Sequence, residues 1–291
     1  MVTKADISAA NVPSCTPRGA FFQRTLECLL ASAHNLLRVC PTGLSRSEPT
    51  TLSLVDSIRV VIPLSYGGRT VPSSPGCLLA SPVALIEDKV TAIIDELIDS
   101  LPDPKQLTSE ERRGIIARYT SVLEGNFIYW MTAAVIAAKA EQSRPILLEN
   151  LYEEVHDCHP LMLRKFAIAA NAFPTDKDFL AVHDDLTKVR QFMGKLSPVK
   201  SVLTMGFFEG FIQKFMSYLA YLAAGQGSTE LEYTDVHGVC DIEHTEGLFK
   251  ALAAEIALTP PKPDADLFEG VTLLRTLIEQ IVRPEAEPLA A

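Results

Sequence analysis

The sequence predicts an all-α protein. Three observations carry that reading. Apolar residues recur at helical spacing through most of the chain after residue 80, and helix-start signals precede those stretches. In addition, 47% of the 291 residues are hydrophobic, enough for a well-packed helical core.

Ser81-Pro82 supplies an N-cap and a first-turn proline for a helix reaching about Ser100. Thr108 and Glu111 have capping-box spacing and open a long helix through Ala140. Pro145 opens the next helix, which carries ENLYEEVH and ends at HDCHP. Helices follow over residues 160–172 and 175–193. Ser197-Pro198 then starts a long one through Ala224, and the polar loop GQGSTE separates it from a helix around residues 237–244. A last amphipathic helix covers 264–282. About seven helices packing as one bundle is the expected architecture.

Residues 1–80 read differently. Arg18 to Val39 is helically periodic, but 41–80 is rich in Ser, Pro and Gly, and SIRVVIPL reads as a short strand or a helix end. The expected division is an N-terminal extension or subdomain over 1–80, a helical domain over 81–283 and a tail over 284–291.

The net charge of −10, without a basic stripe, speaks against a nucleic-acid partner. No apolar run reaches the length of a membrane span; MTAAVIAA stops at Lys139. The six cysteines show no paired spacing and no CxxC, so a reducing cytoplasm is the expected location.

Chemistry concentrates in six residues: Glu149, His156, Glu209, His237, Asp241 and His244. Glu149 and His156 are seven apart, and His237, Asp241 and His244 fall at i, i+4 and i+7, so each set shares one stripe of one helix. Glu209 sits in the otherwise apolar GFFEGFIQKF, where a lone carboxylate needs a partner. Three clustered carboxylates repel one another, and two divalent cations would neutralise them. Imidazole with carboxylate suits iron, whereas a structural zinc site would draw on thiolates.

In identity, order and spacing these residues resemble the haem-oxygenase-like di-iron oxidases and oxygenases. The resemblance covers roughly residues 82–255 and includes NLYEE followed by His159-Pro160-Leu161. It implies a haem-oxygenase-like seven-helix bundle that does not use haem, here with an N-terminal extension. It also implies two Fe(II) ions held by the six residues, with dioxygen as co-substrate. The implied reaction is C–H abstraction from a small aliphatic amino acid in natural-product biosynthesis, giving desaturation, with C–C cleavage or cyclisation to follow. N-oxygenation of an amino acid, or desaturation or decarboxylation of a fatty acid, are the alternatives on the same site. A homodimer is one assembly it allows.

Other readings stay open. Glu153-x-x-His156 is a ferritin-type step that Asp241-x-x-His244 could complete, leaving Glu149 and His237 as bystanders in a carboxylate oxidase. A non-catalytic iron-binding helical module is a further alternative. Otherwise Glu153 is a candidate acceptor for a ligand imidazole, and His159 a helix cap or a supporting partner. A substrate carboxylate calls for a cation, and Arg118, Arg164, Lys165, Arg190 and Lys214 are the candidates.

Overall fold

A computed structural model of the chain describes residues 82–284, and the described residues contain helices and no strand. Expectations for residues 1–80, for the Ser81 cap and for the tail beyond Pro284 lie outside them. The elements are α1 (Pro82–Asp99), α2 (Ser109–Leu123), α3 (Asn126–Ala137), α4 (Ser143–His156), α5 (His159–Ala169), α6 (Asp176–Leu180), α7 (His183–Met193), α8 (Pro198–Gly225), α9 (Glu232–Leu258) and α10 (Glu269–Val282).

Two expected helices are each divided. The long helix from Thr108 begins as its capping box dictates, with Thr108 Oγ1 accepting from Glu111 N and the Glu111 carboxylate accepting from Thr108 N. It then breaks at Gly125, whose φ of +86° is a left-handed conformation that glycine adopts without steric cost. The Asn126 side chain holds the break by donating to Val122 O, while Arg190 Nε donates to Asn126 Oδ1. The second division falls at Ala181–Val182, between α6 and α7.

α8 is the axis of the bundle. Most of its side chains are buried, Glu209 among them, and it packs against α1, α2, α3, α5, α9 and α10. A helix apolar on all sides belongs at the centre of the core, which explains why this stretch lacks a polar face. Trp130 of α3 meets Phe208 edge-on at 5.3 Å, and Phe211 stacks on Phe215 at 5.0 Å. Gly210 lets α1 and α9 approach α8 closely, since a Cβ there would lie 3.0 Å from Ile94 Cδ1 and 3.5 Å from Thr245 Cγ2.

One polar joint ties α9 to the start of α4. Glu255 is fully buried, and its Oε1 accepts from Lys139 N and Ala140 N, both at 2.9 Å, and from Ser143 Oγ. These donors lie in the turn between α3 and α4, so a carboxylate from α9 replaces the water they would otherwise need. Glu255→Ala leaves the Lys139 and Ala140 amides without their acceptor and Ser143 Oγ with Ala140 O alone, and the expected cost is about 3 kcal/mol. Thermal unfolding followed by circular dichroism should show a fall of roughly 10 °C.

Candidate metal centre

Among the described residues, two groups of side chains could hold a metal ion: Glu154 with His159 and His237, and Glu209 with Asp241 and His244. Within each group the three donor atoms lie within 4.8 Å of one another. The two groups meet on α9, where His237 and Asp241 are one turn apart, ~6 Å along the axis.

The structure therefore brings together four of the six residues expected from sequence, Glu209, His237, Asp241 and His244, and leaves Glu149 and His156 outside. The buried face of α4 consists of Ser143, Leu147, Asn150 and Glu154, while Glu149 points to solvent. His156 is 62% exposed, stacks on Tyr152 and pairs its Nδ1 with Asp157 Oδ1 at 2.7 Å. Seven-residue spacing put Glu149 and His156 on one stripe correctly, but that stripe faces water. The ferritin-type Glu153-x-x-His156 pair is divided: Glu153 turns toward His244, while His156 faces solvent.

Glu154 and His159 occupy the inner positions instead. Glu154 ends the buried stripe of α4. His159 arrives through a chain reversal at Cys158, whose φ of 59° and ψ of 40° stop one helix and start the next. Its Nδ1 lies 2.8 Å from Glu154 Oε1, and its ring meets that of His237 at 4.5 Å. Asn150, also unassigned from sequence, donates from Nδ2 to Glu209 Oε1 at 2.7 Å. The period of Leu147, Asn150 and Glu154 was the available signal for that face.

Hydrogen bonds aim the imidazoles. His237 Nδ1 meets Tyr233 O at 2.9 Å, and a carbonyl only accepts, so Nδ1 carries a proton and Nε2 is the ring atom turned toward Glu154, 3.6 Å away, the one that would give up its proton to bind a metal. His244 Nε2 lies 2.9 Å from Glu153 Oε2 and donates to it. Its Nδ1 then faces Glu209 and Asp241, at 3.9 and 3.7 Å. Glu153 thus stands where an acceptor for a ligand imidazole belongs.

The charge state is that of a site built around a cation. Burial and then the Asp241 charge push Glu209 up to about 8, and burial likewise raises Asp241. For His237 burial acts downward, yet Glu154 and Asp241 outweigh it and bring the ring to about 9. Burial also opposes His244, but the Asp241 carboxylate 3.7 Å away and the hydrogen bond to Glu153 raise it to about 11. Glu154 alone is held low, at about 2, because His159 and His237 outweigh its burial. Most telling is Asp241. It is completely buried, neither carboxylate oxygen has a hydrogen-bond partner, and the neighbouring His244 Nδ1 also lacks one. Buried carboxylate oxygens are almost always satisfied, and a metal ion bound by Glu209, Asp241 and His244 would satisfy all three atoms at once. With only oxygen and nitrogen donors, the set fits iron.

Comparison with known families agrees. Residues 117–277, more than half of the chain, match the family described as iron-containing redox enzymes. The chain belongs to this family, which accords with the haem-oxygenase-like resemblance read from its motifs. No curated protein matches the chain. Among the described residues no helix is long and apolar enough to cross a membrane.

Proposed function

We propose that the protein is a non-haem di-iron oxidase or oxygenase that uses dioxygen on a small aliphatic acid or amino acid. One iron would be held by Glu154, His159 and His237, the other by Glu209, Asp241 and His244. The observation that carries this reading is the fully buried, unpartnered Asp241 carboxylate beside a second histidine–carboxylate group on the same helix. Two ferrous ions bound there would supply two electrons to dioxygen and two substrate C–H bonds would supply two more; with two solvent protons besides the substrate's own, the products would be water and an alkene, both irons would end ferric, and an external electron donor would have to reduce them for the next turnover.

The chain's own residues prepare that chemistry. Tyr233 O and Glu153 orient His237 and His244, and Asn150 orients Glu209. Phe208, Phe211 and Ile212 surround Glu209 on α8 and exclude water. A small cavity of about 20 Å³ lies against Glu154, His159 and His237, walled by Leu123, Phe127 and Leu163. That is room for about one water-sized molecule, which suits dioxygen and is too small for an organic substrate.

Anaerobic titration with ferrous ion, followed by Mössbauer spectroscopy and oxygen-electrode measurements, tests the proposal. Uptake of about two irons per chain and dioxygen consumption stimulated by one member of an aliphatic acid panel are the expected results. Absence of iron uptake would leave a helical module without this chemistry.

A further inference from the structure

A row of aromatic rings runs from the metal centre toward the surface. It starts at His237, whose ring lies 4.3 Å from that of Tyr233, one turn earlier on α9. Tyr233 meets Tyr119 of α2 edge-on at 6.2 Å, and the two phenol oxygens are 2.9 Å apart. Tyr119 meets Phe215 of α8 at 5.5 Å, and Phe215 meets Tyr218 at 5.4 Å. Tyr218 is partly exposed, and its hydroxyl donates to Pro102 O. Building on the metal centre proposed above, we propose that Tyr233, Tyr119 and Tyr218 form a one-electron relay that discharges the oxidised centre when no substrate is bound.

Packing alone gives no reason for the inner pair. Tyr119 and Tyr233 are 1% and 3% exposed, and their hydroxyls satisfy each other where two phenylalanines would fill the same space without burying a polar group. A phenol gives up one electron far more readily than a benzene ring does. Position completes the case, because Tyr233 packs on His237 and also lines the small cavity beside Glu154 and His237 that suits dioxygen.

The relay moves one electron inward and one proton outward. The dioxygen-oxidised iron centre takes an electron from Tyr233 through the His237 ring. Tyr119 refills Tyr233, and Tyr218 refills Tyr119 across Phe215, which serves as a bridge. The buried pair has no water to take a proton, so the electron deficiency passes outward to the first phenol near solvent. There the Tyr218 O–H bond breaks; its proton goes to water and its electron has gone to iron. A thiol in solution then returns a hydrogen atom to the Tyr218 oxygen. With substrate present, the C–H bonds supply these electrons instead. Without it, the oxidising power would otherwise fall on buried neighbours such as Met205, one turn from Glu209 on α8, and Met216.

Freeze-quench electron paramagnetic resonance on the full chain tests the relay. Ferrous-loaded protein is mixed with dioxygen in the absence of organic substrate, and bound iron and consumed dioxygen are measured on the same samples. The expected result is a tyrosyl signal that narrows when the protein carries ring-deuterated tyrosine. Tyr119→Phe and Tyr233→Phe should each lose most of that signal with iron content unchanged, since phenylalanine keeps the ring and, at 233, the backbone carbonyl that holds His237. Each single variant leaves one buried hydroxyl without its partner, whereas the double variant removes both and separates the relay from a folding defect. In Tyr218→Phe the signal should persist and resist quenching by added thiol, and peptide mass spectrometry should find more oxidised Met205 and Met216. Iron uptake and dioxygen consumption with no tyrosyl signal, a signal unchanged in the double variant, or a tryptophan signal in its place overturns the relay and leaves the metal centre standing. No iron uptake removes the centre and the relay together.

Discussion

Glu209→Gln is expected to do two opposite things: remove metal uptake at the Glu209, Asp241 and His244 group, and stabilise the metal-free protein at high pH. In the folded chain Glu209 titrates near 8 instead of 4.5, chiefly because it is buried and then because Asp241 is close. The fold therefore favours its protonated form. The stability this provides is complete below pH 4.5, declines as pH rises from 4.5 to 8, and is absent above that. Glutamine copies the protonated acid in shape and can still accept from Asn150, but it never ionises. At pH 9 the metal-free variant should melt roughly 5 °C above the wild type, and at pH 5 the two should coincide.

The histidines act in the same direction. His237 and His244 are raised from 6.5 to about 9 and about 11, so what they contribute is complete below pH 6.5 and lost as pH climbs through those values. Glu154 is lowered from 4.5 to about 2, and its contribution is present above 4.5 and lost on acidification toward 2. Metal-free protein should accordingly be most stable near pH 4.5, losing stability above it first through Glu209 and, beyond pH 6.5, through the histidines as well. Metal entry must displace the protons on Glu209, His237 and His244, so affinity should rise steeply with pH as stability of the empty chain falls. Calorimetry in buffers of different ionisation enthalpy measures the protons released, and a release of two to three per chain at pH 7 is expected. Uptake without proton release would mean that these groups are not the ligands.

Much of the helical architecture was legible because helix starts are local events. The Thr108–Glu111 capping box and the prolines at 82 and 198 depend on residues within one turn, and each opens a helix where expected. Breaks were harder. Gly125 interrupts α2–α3 through a backbone conformation that the surrounding apolar pattern hides, and the Asn126–Arg190 bond that holds it spans 64 residues. At the centre, the i, i+4, i+7 pattern of α9 could be read directly, since His237, Asp241 and His244 lie on one continuous helix. Glu209 was legible as a carboxylate in an apolar helix. On α4 the same arithmetic selected the stripe of Glu149 and His156, because period identifies a shared face and not its direction. His159 was out of reach for another reason: the left-handed Cys158 resets the helical phase between α4 and α5, so spacing counted across it has no geometric meaning.

That choice of face is what the second large effect tests. Glu154→Gln and His159→Ala should each reduce ferrous stoichiometry from about two per chain to about one, with affinity at the lost position down by more than the ~10–100-fold typical of losing an outer partner. Glu149→Ala and His156→Ala should keep both irons, since these side chains face solvent and His156 is engaged with Asp157 and Tyr152. The result discriminates sharply because the two sets are interleaved on one short segment. Exchanging their roles would require α4 to turn by about 140° about its axis. Such a rotation would carry Leu147 and Asn150 out of the core, break the Asn150–Glu209 bond and pull Ser143 from Glu255. Loss of iron in Glu149→Ala with retention in Glu154→Gln would therefore contradict the packing of α4 as well as the ligand set. Loss in Glu154→Gln alone would bind the orientation of α4, set by Leu147, Asn150 and the Glu255 joint, directly to assembly of the metal centre.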